Sequence, residues 1–149
     1  MATAKLIETH TQGAEICHGS DICKSKIQKV LEEFSFPKGL LPLDDIEEFG
    51  FNRNTGFVWM KMKKKKEHKF KSIGQTTIYN AEITCFLEKF HMSKVTGVKA
   101  KEMMIPVAVY DILVRAPAAD MVKFTSAVGL SRAHPISAFE LEDAGSATK

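Results

Sequence analysis

The sequence predicts a mainly β fold, with antiparallel sheets in a barrel- or sandwich-like arrangement and a helix near the N-terminus. Three observations carry this. Residues 20–34 place Cys23, Ile27, Val30, Leu31 and Phe34 at three- and four-residue spacings, the period of one helix face. Beyond Pro42 the apolar residues change to alternation, clearest over 77–87, which is the period of a half-buried strand. Between the two regimes stands Pro37-Lys38-Gly39-Leu40-Leu41-Pro42, where two prolines fix φ and Gly39 relaxes the chain between them.

Taken in order, the N-terminal segment 1–19 has a weak helical pattern over 5–18 that Gly13 interrupts. Ser20 or Asp21 is placed to cap the next helix, a side-chain oxygen accepting from first-turn amides. Pro37 and Gly39 end that helix. The proline-flanked segment then reads as the joint that folds the helix back onto the sheet, anchored by Leu40 and Leu41. Residues 46–51 and 57–62 flank Asn52-Arg53-Asn54-Thr55-Gly56, a hairpin signal because Asn and Gly tolerate positive φ. A third strand is expected at 68–73. Over 77–87, Tyr79, Ala81, Ile83, Cys85 and Leu87 face one way, and Asn80, Glu82, Thr84 and Glu88 the other. Phe86 spoils the polar face and is expected beneath another element. Residues 103–114 are apolar on both faces and so require cover on both, as the centre of a sandwich or the wall of a cavity. Pro106 within them marks an edge, a bulge or a break. Residues 121–125 and 135–140 supply two more strands. The β-rich domain with its leading helix spans 20–142, and the small polar tail 143–149 reads as frayed.

Bulk properties narrow the function classes. A chain of 149 residues buries roughly 70% of its unfolded surface, enough for a core without disulfides or a structural metal. Hydrophobic residues at 44% and charged residues at 26% are ordinary for a folded domain and argue against disorder. A net charge of +3 is too slight for a dedicated nucleic-acid binder. Three cysteines make an odd, sparse set, unlike a secreted disulfide scaffold. Residues 1–13 have no apolar signal core, and no run approaches a membrane-spanning length. The expectation is a cytoplasmic protein, with a nuclear address left open by its lysine run.

That run is the most conspicuous local feature. Between Lys61 and Lys71, the lysines Lys61, Lys63, Lys64, Lys65, Lys66, Lys69 and Lys71 meet a single acid, Glu67. Such a segment can dock on anionic lipid headgroups or phosphates, or can serve as a solvated strand edge that repels other chains. Aromatic residues beside it are sparse, which weighs against single-stranded nucleic acid as a partner. A second feature is the methionine-bearing strand region with Met103 and Met104, supported by Met60, Met62, Met92 and Met121; these side chains suit irregular ligands and awkward core gaps alike. Candidate ligand contacts are Trp59, Tyr79, Met104, Ala108 and Tyr110. His10, Cys17, His18 and Cys23 lie close in sequence but fit no zinc spacing, so no metal site and no cofactor are expected. Cys85 reads as a small buried hydrophobe. No nucleophile elbow, phosphate-cradling glycine loop or paired-histidine motif is present, and no catalytic residue is assigned.

Several segments together resemble a plant family, domain of unknown function 538. They are Pro37-Lys38-Gly39-Leu40-Leu41-Pro42, Thr55-Gly56-Phe57-Val58-Trp59, Tyr79 with Glu82-Ile83-Thr84, Thr96-Gly97-Val98-Lys99-Ala100-Lys101-Glu102, and Ser131-Arg132 followed by Pro135-Ile136-Ser137-Ala138-Phe139-Glu140. The resemblance spans residues 14–142 and implies a mainly β fold with an N-terminal helix. It also implies kinship with bactericidal/permeability-increasing proteins, which hold lipid in an apolar groove, and brings proposals of pigment binding and stress-linked expression. Similar proteins carry Trp where this chain has Pro106. With the doubly apolar strand, it points to a non-enzymatic protein holding a small apolar or amphipathic, lipid- or pigment-like ligand in a β-lined cavity. The alternatives are a stress-responsive protein-interaction module with a solid core, and a hydrolase acting on a pigment ester.

Overall fold

The computed structural model describes residues 2–141. Helix α1, Ala2–His10, leads through a turn into strand β1, Glu15–His18, and then helix α2, Ser20–Glu33. The remaining strands are β2 Ile46–Asn52, β3 Phe57–Met62, β4 Lys66–Phe70, β5 Gln75–Glu88, β6 His91–Glu102, β7 Ile105–Val114, β8 Met121–Ser126 and β9 Ser131–Pro135, followed by the 3₁₀ turn Ile136–Phe139. All pair antiparallel in one sheet, ordered β1-β2-β3-β5-β6-β7-β8-β9, with β4 continuing the β3 side of β5. The fold is therefore mostly antiparallel β with short helices near the N-terminus. Among the described residues the sheet does not close on itself, and β1 and β9 end the strand order.

The apolar stripe of α2, Cys23, Ile27, Val30 and Leu31, is fully buried. It lies against Phe49 of β2, Val58 and Met60 of β3, Cys85 and Leu87 of β5 and Met92 of β6. Each large side chain buried there contributes about 1.5–3 kcal/mol. Neither Ser20 nor Asp21 caps this helix. Gly19 occupies the N-cap at φ 95, and Ser20 Oγ instead accepts a hydrogen bond from the Ile46 amide at 3.3 Å, tying the helix start to β2. The helix stops before Pro37, through a Schellman closure: Ser35 takes φ 68, its amide reaches Glu32 O at 3.1 Å, and the Phe36 amide reaches Leu31 O at 2.8 Å.

The strand covered on both faces is β3. Val58, Met60 and Met62 join the α2 core, while Phe57 and Trp59 point to the opposite side, where Ile7 of α1 covers them. Phe86 packs edge-on to Phe57 at 5.2 Å, with His10 of α1 at 5.7 Å, so it does sit beneath another element. Gly50 faces Trp59 across the β2–β3 pair, and the indole lies so close over it that no Cβ fits.

Elsewhere the structure revises the expected elements. Residues 5–18 split into the end of α1 and strand β1, because β1 pairs with β2 from Glu15↔Phe51 to His18↔Glu48. The third strand lies two to three residues earlier than 68–73, leaving Ile73 in a turn. Strand β6 carries its buried Met92, Val95 and Val98 at three-residue spacing, because Lys94 and Gly97 at φ 50 and 84 disturb the alternation; that spacing conceals a strand. Residues 103–114 are apolar on both faces but buried on one only. A bulge between Val109 and Asp111 shifts the phase, so Val107 and Val109 before it and Ile112 and Val114 after it share one side. Met103 and Met104 are the two central residues of the β6–β7 turn, both at positive φ, 51 and 73, and 93% and 83% exposed. Non-glycine residues held there cost about 1–2 kcal/mol each. Pro106 pairs with Lys101 of β6, on a stretch of β7 that β8 does not reach, which makes it an edge proline. Residues 135–140 form the end of β9 and the 3₁₀ turn rather than a strand. The tail 143–149 lies outside the described residues.

Candidate functional site

Past β3 the sheet curls. Phe70 of β4 and Phe124 of β8 are separated by three intervening strands, yet both pack on Phe139 of the 3₁₀ turn, at 4.8 and 5.2 Å between ring centres. The curl leaves a cavity of about 120 Å³ on its concave side. Its walls are Phe70, Tyr79, Val98, Ala100, Val107, Val109, Ile112 and Phe124 from the sheet, and Leu40, Leu41 and Phe139 from the segments that cross it. Its polar lining is Gln75, Thr77, Glu102, Thr125, Ser126, Arg132 and His134, and of these Gln75, Glu102 and Arg132 meet where the ends of β5, β6 and β9 converge.

Two contacts hold the covering loop in place. Tyr79, wholly buried, donates its hydroxyl proton to Leu40 O at 2.9 Å, and burial pushes its ionisation well above the ordinary phenol range. Gly39 rests against the backbone of the 3₁₀ turn; a Cβ there would stand 2.5 Å from the carbonyl oxygens of Phe139 and Glu140. Gly39 thus serves close approach of two backbones, rather than the loosening expected from its sequence setting.

Where these strand ends converge, Arg132 Nε donates to Glu102 Oε1 at 3.2 Å, tying the start of β9 to the end of β6. Gln75 Nε2 donates to Lys101 O at 3.0 Å, joining β5 to the same place. His134 is held below its ordinary pKa, chiefly by burial and further by Arg132, with Glu102 opposing. Two of the cavity hydroxyls are bonded within the β8–β9 hairpin. Ser126 Oγ accepts from the amides of Val128 and Leu130 at 3.3 and 3.0 Å, shaping the turn after β8. Thr125 Oγ1 and Ser131 Oγ share a bond of 3.1 Å. Among the described residues no hydrogen bond joins a cavity hydroxyl to His134.

Of the five sequence-nominated ligand contacts, only Tyr79 lines this cavity. Trp59 is buried on the other side of the sheet, its Nε1 donating to Glu48 Oε2 at 2.6 Å. Met104 is at the turn, and Ala108 and Tyr110 point to solvent. The wall residues of β7 are Val107, Val109 and, past the bulge, Ile112, and no methionine contributes.

The lysine run is dispersed by the fold. Lys66 donates to Pro42 O and pairs with Asp44, each at 2.7 Å, and Lys61 faces Glu48 at 4.0 Å. Lys63, Lys64 and Lys65 protrude where β3 gives way to β4, while Lys69 and Lys71 lie exposed at the far end of β4. His10 stacks on Phe57 at 4.5 Å, away from the thiols. Cys17 and Cys23 bring their sulfurs to 3.5 Å, and burial pushes the Cys23 thiol up to about 12. Cys85 is buried and likewise pushed up to about 12. Among the described residues no three histidine, cysteine or acidic side chains cluster as a metal site, and no helix is long and apolar enough to cross a membrane.

Residues 27–140 match the family described as "Protein of unknown function, DUF538". The chain belongs to this family. The DUF538 span opens on Ile27 in α2 and closes just past Phe139, so every wall of the cavity falls inside it, whereas α1 and β1 fall outside. No curated protein and no solved structure matches the chain.

Proposed function

We propose that the protein is a non-enzymatic carrier or sensor of a small amphipathic ligand, held in the cavity of the curled sheet. The observation that carries this reading is the cavity's make-up: mainly aliphatic and aromatic walls from five strands and two crossing segments, with a minority of polar side chains among them. Ligand sites have this form, apolar surface for affinity and a few polar groups for orientation. A volume of 120 Å³ is roughly ten times what one water requires, which suits a single ring or short acyl chain better than a tetrapyrrole. The kinship with lipid-holding proteins implied by the sequence resemblance accords with this reading. Ser126 and Thr125, whose hydroxyls are bonded within the β8–β9 hairpin, give the hydrolase alternative no support.

Titration with anilinonaphthalene sulfonate, an amphipathic aromatic dye, tests the proposal. Ala100 lines the cavity and Ala108 faces solvent on the neighbouring strand. Ala100→Phe is expected to abolish saturable binding and Ala108→Phe to leave it unchanged. Equal binding by both folded variants would remove the cavity as the site. Native mass spectrometry of gently purified protein then reads any resident ligand as mass lost on denaturation; an intact partner subunit instead supports the interaction-module alternative.

A further inference from the structure

The most exposed large apolar residues are unevenly placed: apart from Ile22 of α2, those more than 60% exposed gather at one end of the sheet. Met103, Met104, Ile105, Val128 and Leu130 are each more than 60% exposed, and all five lie in or beside two turns at one end of the sheet. Because the strands alternate in direction, the β4–β5 turn (71–74), the β6–β7 turn (103–104) and the β8–β9 turn (127–130) project from that same end. Hydrogen bonds confirm the grouping: Gln75 to Lys101 O, Arg132 to Glu102, and the Ala127 amide to Ala108 O at 3.1 Å. The cavity opens among them, since Leu130, Gln75, Glu102 and Arg132 line it.

The β6–β7 turn is the most pointed feature. Its pair of positive φ angles defines the tight hairpin for which Asn-Gly is the favoured sequence, and this chain places two methionines there. Neither gains a packing partner in the fold, both being almost fully exposed. An apolar, unbranched pair held in an unfavourable conformation at a projecting tip has its use outside the molecule. The charges around it select the partner. Glu67 and Glu102 are bonded to Lys101 and Arg132, while Lys69 and Lys71 add exposed positive charge beside the tips.

We propose that this end of the sheet docks on an anionic lipid membrane, the 103–104 and 127–130 tips entering the headgroup boundary and the flanking cations meeting lipid phosphates and carboxylates. Protruding apolar tips with basic residues behind them suit a deformable interface rather than the flat, rigid complement of a folded protein. Docking in this way sets the cavity mouth against the bilayer, so a ligand dissolved in the membrane reaches the cavity without crossing water. The docking surface differs from the sequence's most basic stretch: Lys63, Lys64 and Lys65 lie opposite the middle of β5, roughly 15–20 Å from the tips at ~3.3 Å per residue.

Vesicle co-sedimentation of the ligand-free protein tests docking separately from cavity binding, which the dye titration reads. Wild type is expected to bind vesicles of mixed phosphatidylserine and phosphatidylcholine, less well as salt rises, and to bind pure phosphatidylcholine weakly. The double variant Met103→Asn/Met104→Gly installs the favoured turn sequence, so it should fold at least as stably while its vesicle binding falls about tenfold or more. Lys69→Gln/Lys71→Gln should also weaken binding, and Lys63→Gln/Lys64→Gln/Lys65→Gln should retain most of it. Wild type failing to bind either vesicle overturns the proposal. So does full binding by the Asn-Gly variant, and so does loss of binding confined to the Lys63, Lys64 and Lys65 variant.

Discussion

His134 shows how the setting of one residue becomes a measurable property of the whole. It lies half-buried in the cavity lining, beside Phe124 and Phe139, with Glu102 and Arg132 as the charges that act on it. Burial holds its folded pKa below the ordinary 6.5. The unfolded chain therefore takes up this proton first, and stability is lost as pH falls from 6.5 through the depressed folded value. Wild type is expected to show a fall in urea midpoint between about pH 7 and pH 5, the range in which histidine titrates. His134→Gln should flatten that fall. An unchanged slope in the variant would assign the pH dependence to other groups. Sequence showed His134 only as a solitary histidine; its environment arises from β8, β9 and the 3₁₀ turn meeting across the concave face.

At the scale of elements, ends and irregularities decide most of what periodicity leaves open. The α2 stripe was legible because 14 helical residues repeat one period without interruption. Its termination was not, since the closure uses Ser35 in the left-handed region, a position where glycine is usual. Ser35→Gly keeps the closure and removes the Cβ penalty. It should raise stability by about 0.5–1 kcal/mol in urea denaturation. A loss of stability would mean that the serine side chain contributes more than its backbone costs. The same principle explains β7 and β6. One bulge put the buried residues of a one-sided strand in two phases, and two positive-φ residues made a strand look aperiodic. Local sequence carries the alternation but not the place where an extra residue shifts it.

For the whole molecule, the curl of the sheet is what creates a cavity, and the loop carrying Leu40 and Leu41 keeps it covered. Gly39 joins these features, because its backbone meets that of Phe139 and Glu140 more closely than a Cβ allows. Neither obstructing atom belongs to a flexible side chain, so Gly39→Ala must lift the loop from the 3₁₀ turn. We expect a loss of about 1–3 kcal/mol in urea denaturation, with weaker dye binding because a cavity wall moves. Unchanged stability would show that the loop accommodates the methyl group and is not locked on the turn.

The sequence by itself determined the α2 helix, the β2–β3 hairpin, the alternation of β5 and the mainly antiparallel class, because each rests on spacing or turn chemistry within a short stretch. It also named Tyr79 as a ligand contact and, separately, Leu40 and Leu41 as anchors of the joint between helix and sheet. Only the tertiary structure decided which face of β7 the cavity takes, since a bulge depends on the register of the neighbouring strand. Tertiary structure likewise put Trp59 on the far side of the sheet, dispersed the lysine run along β3 and β4, and gathered Met103, Met104, Val128 and Leu130 at one end. Those placements depend on how strands distant in sequence pair and on how far the sheet curls, and neither is encoded in any single segment.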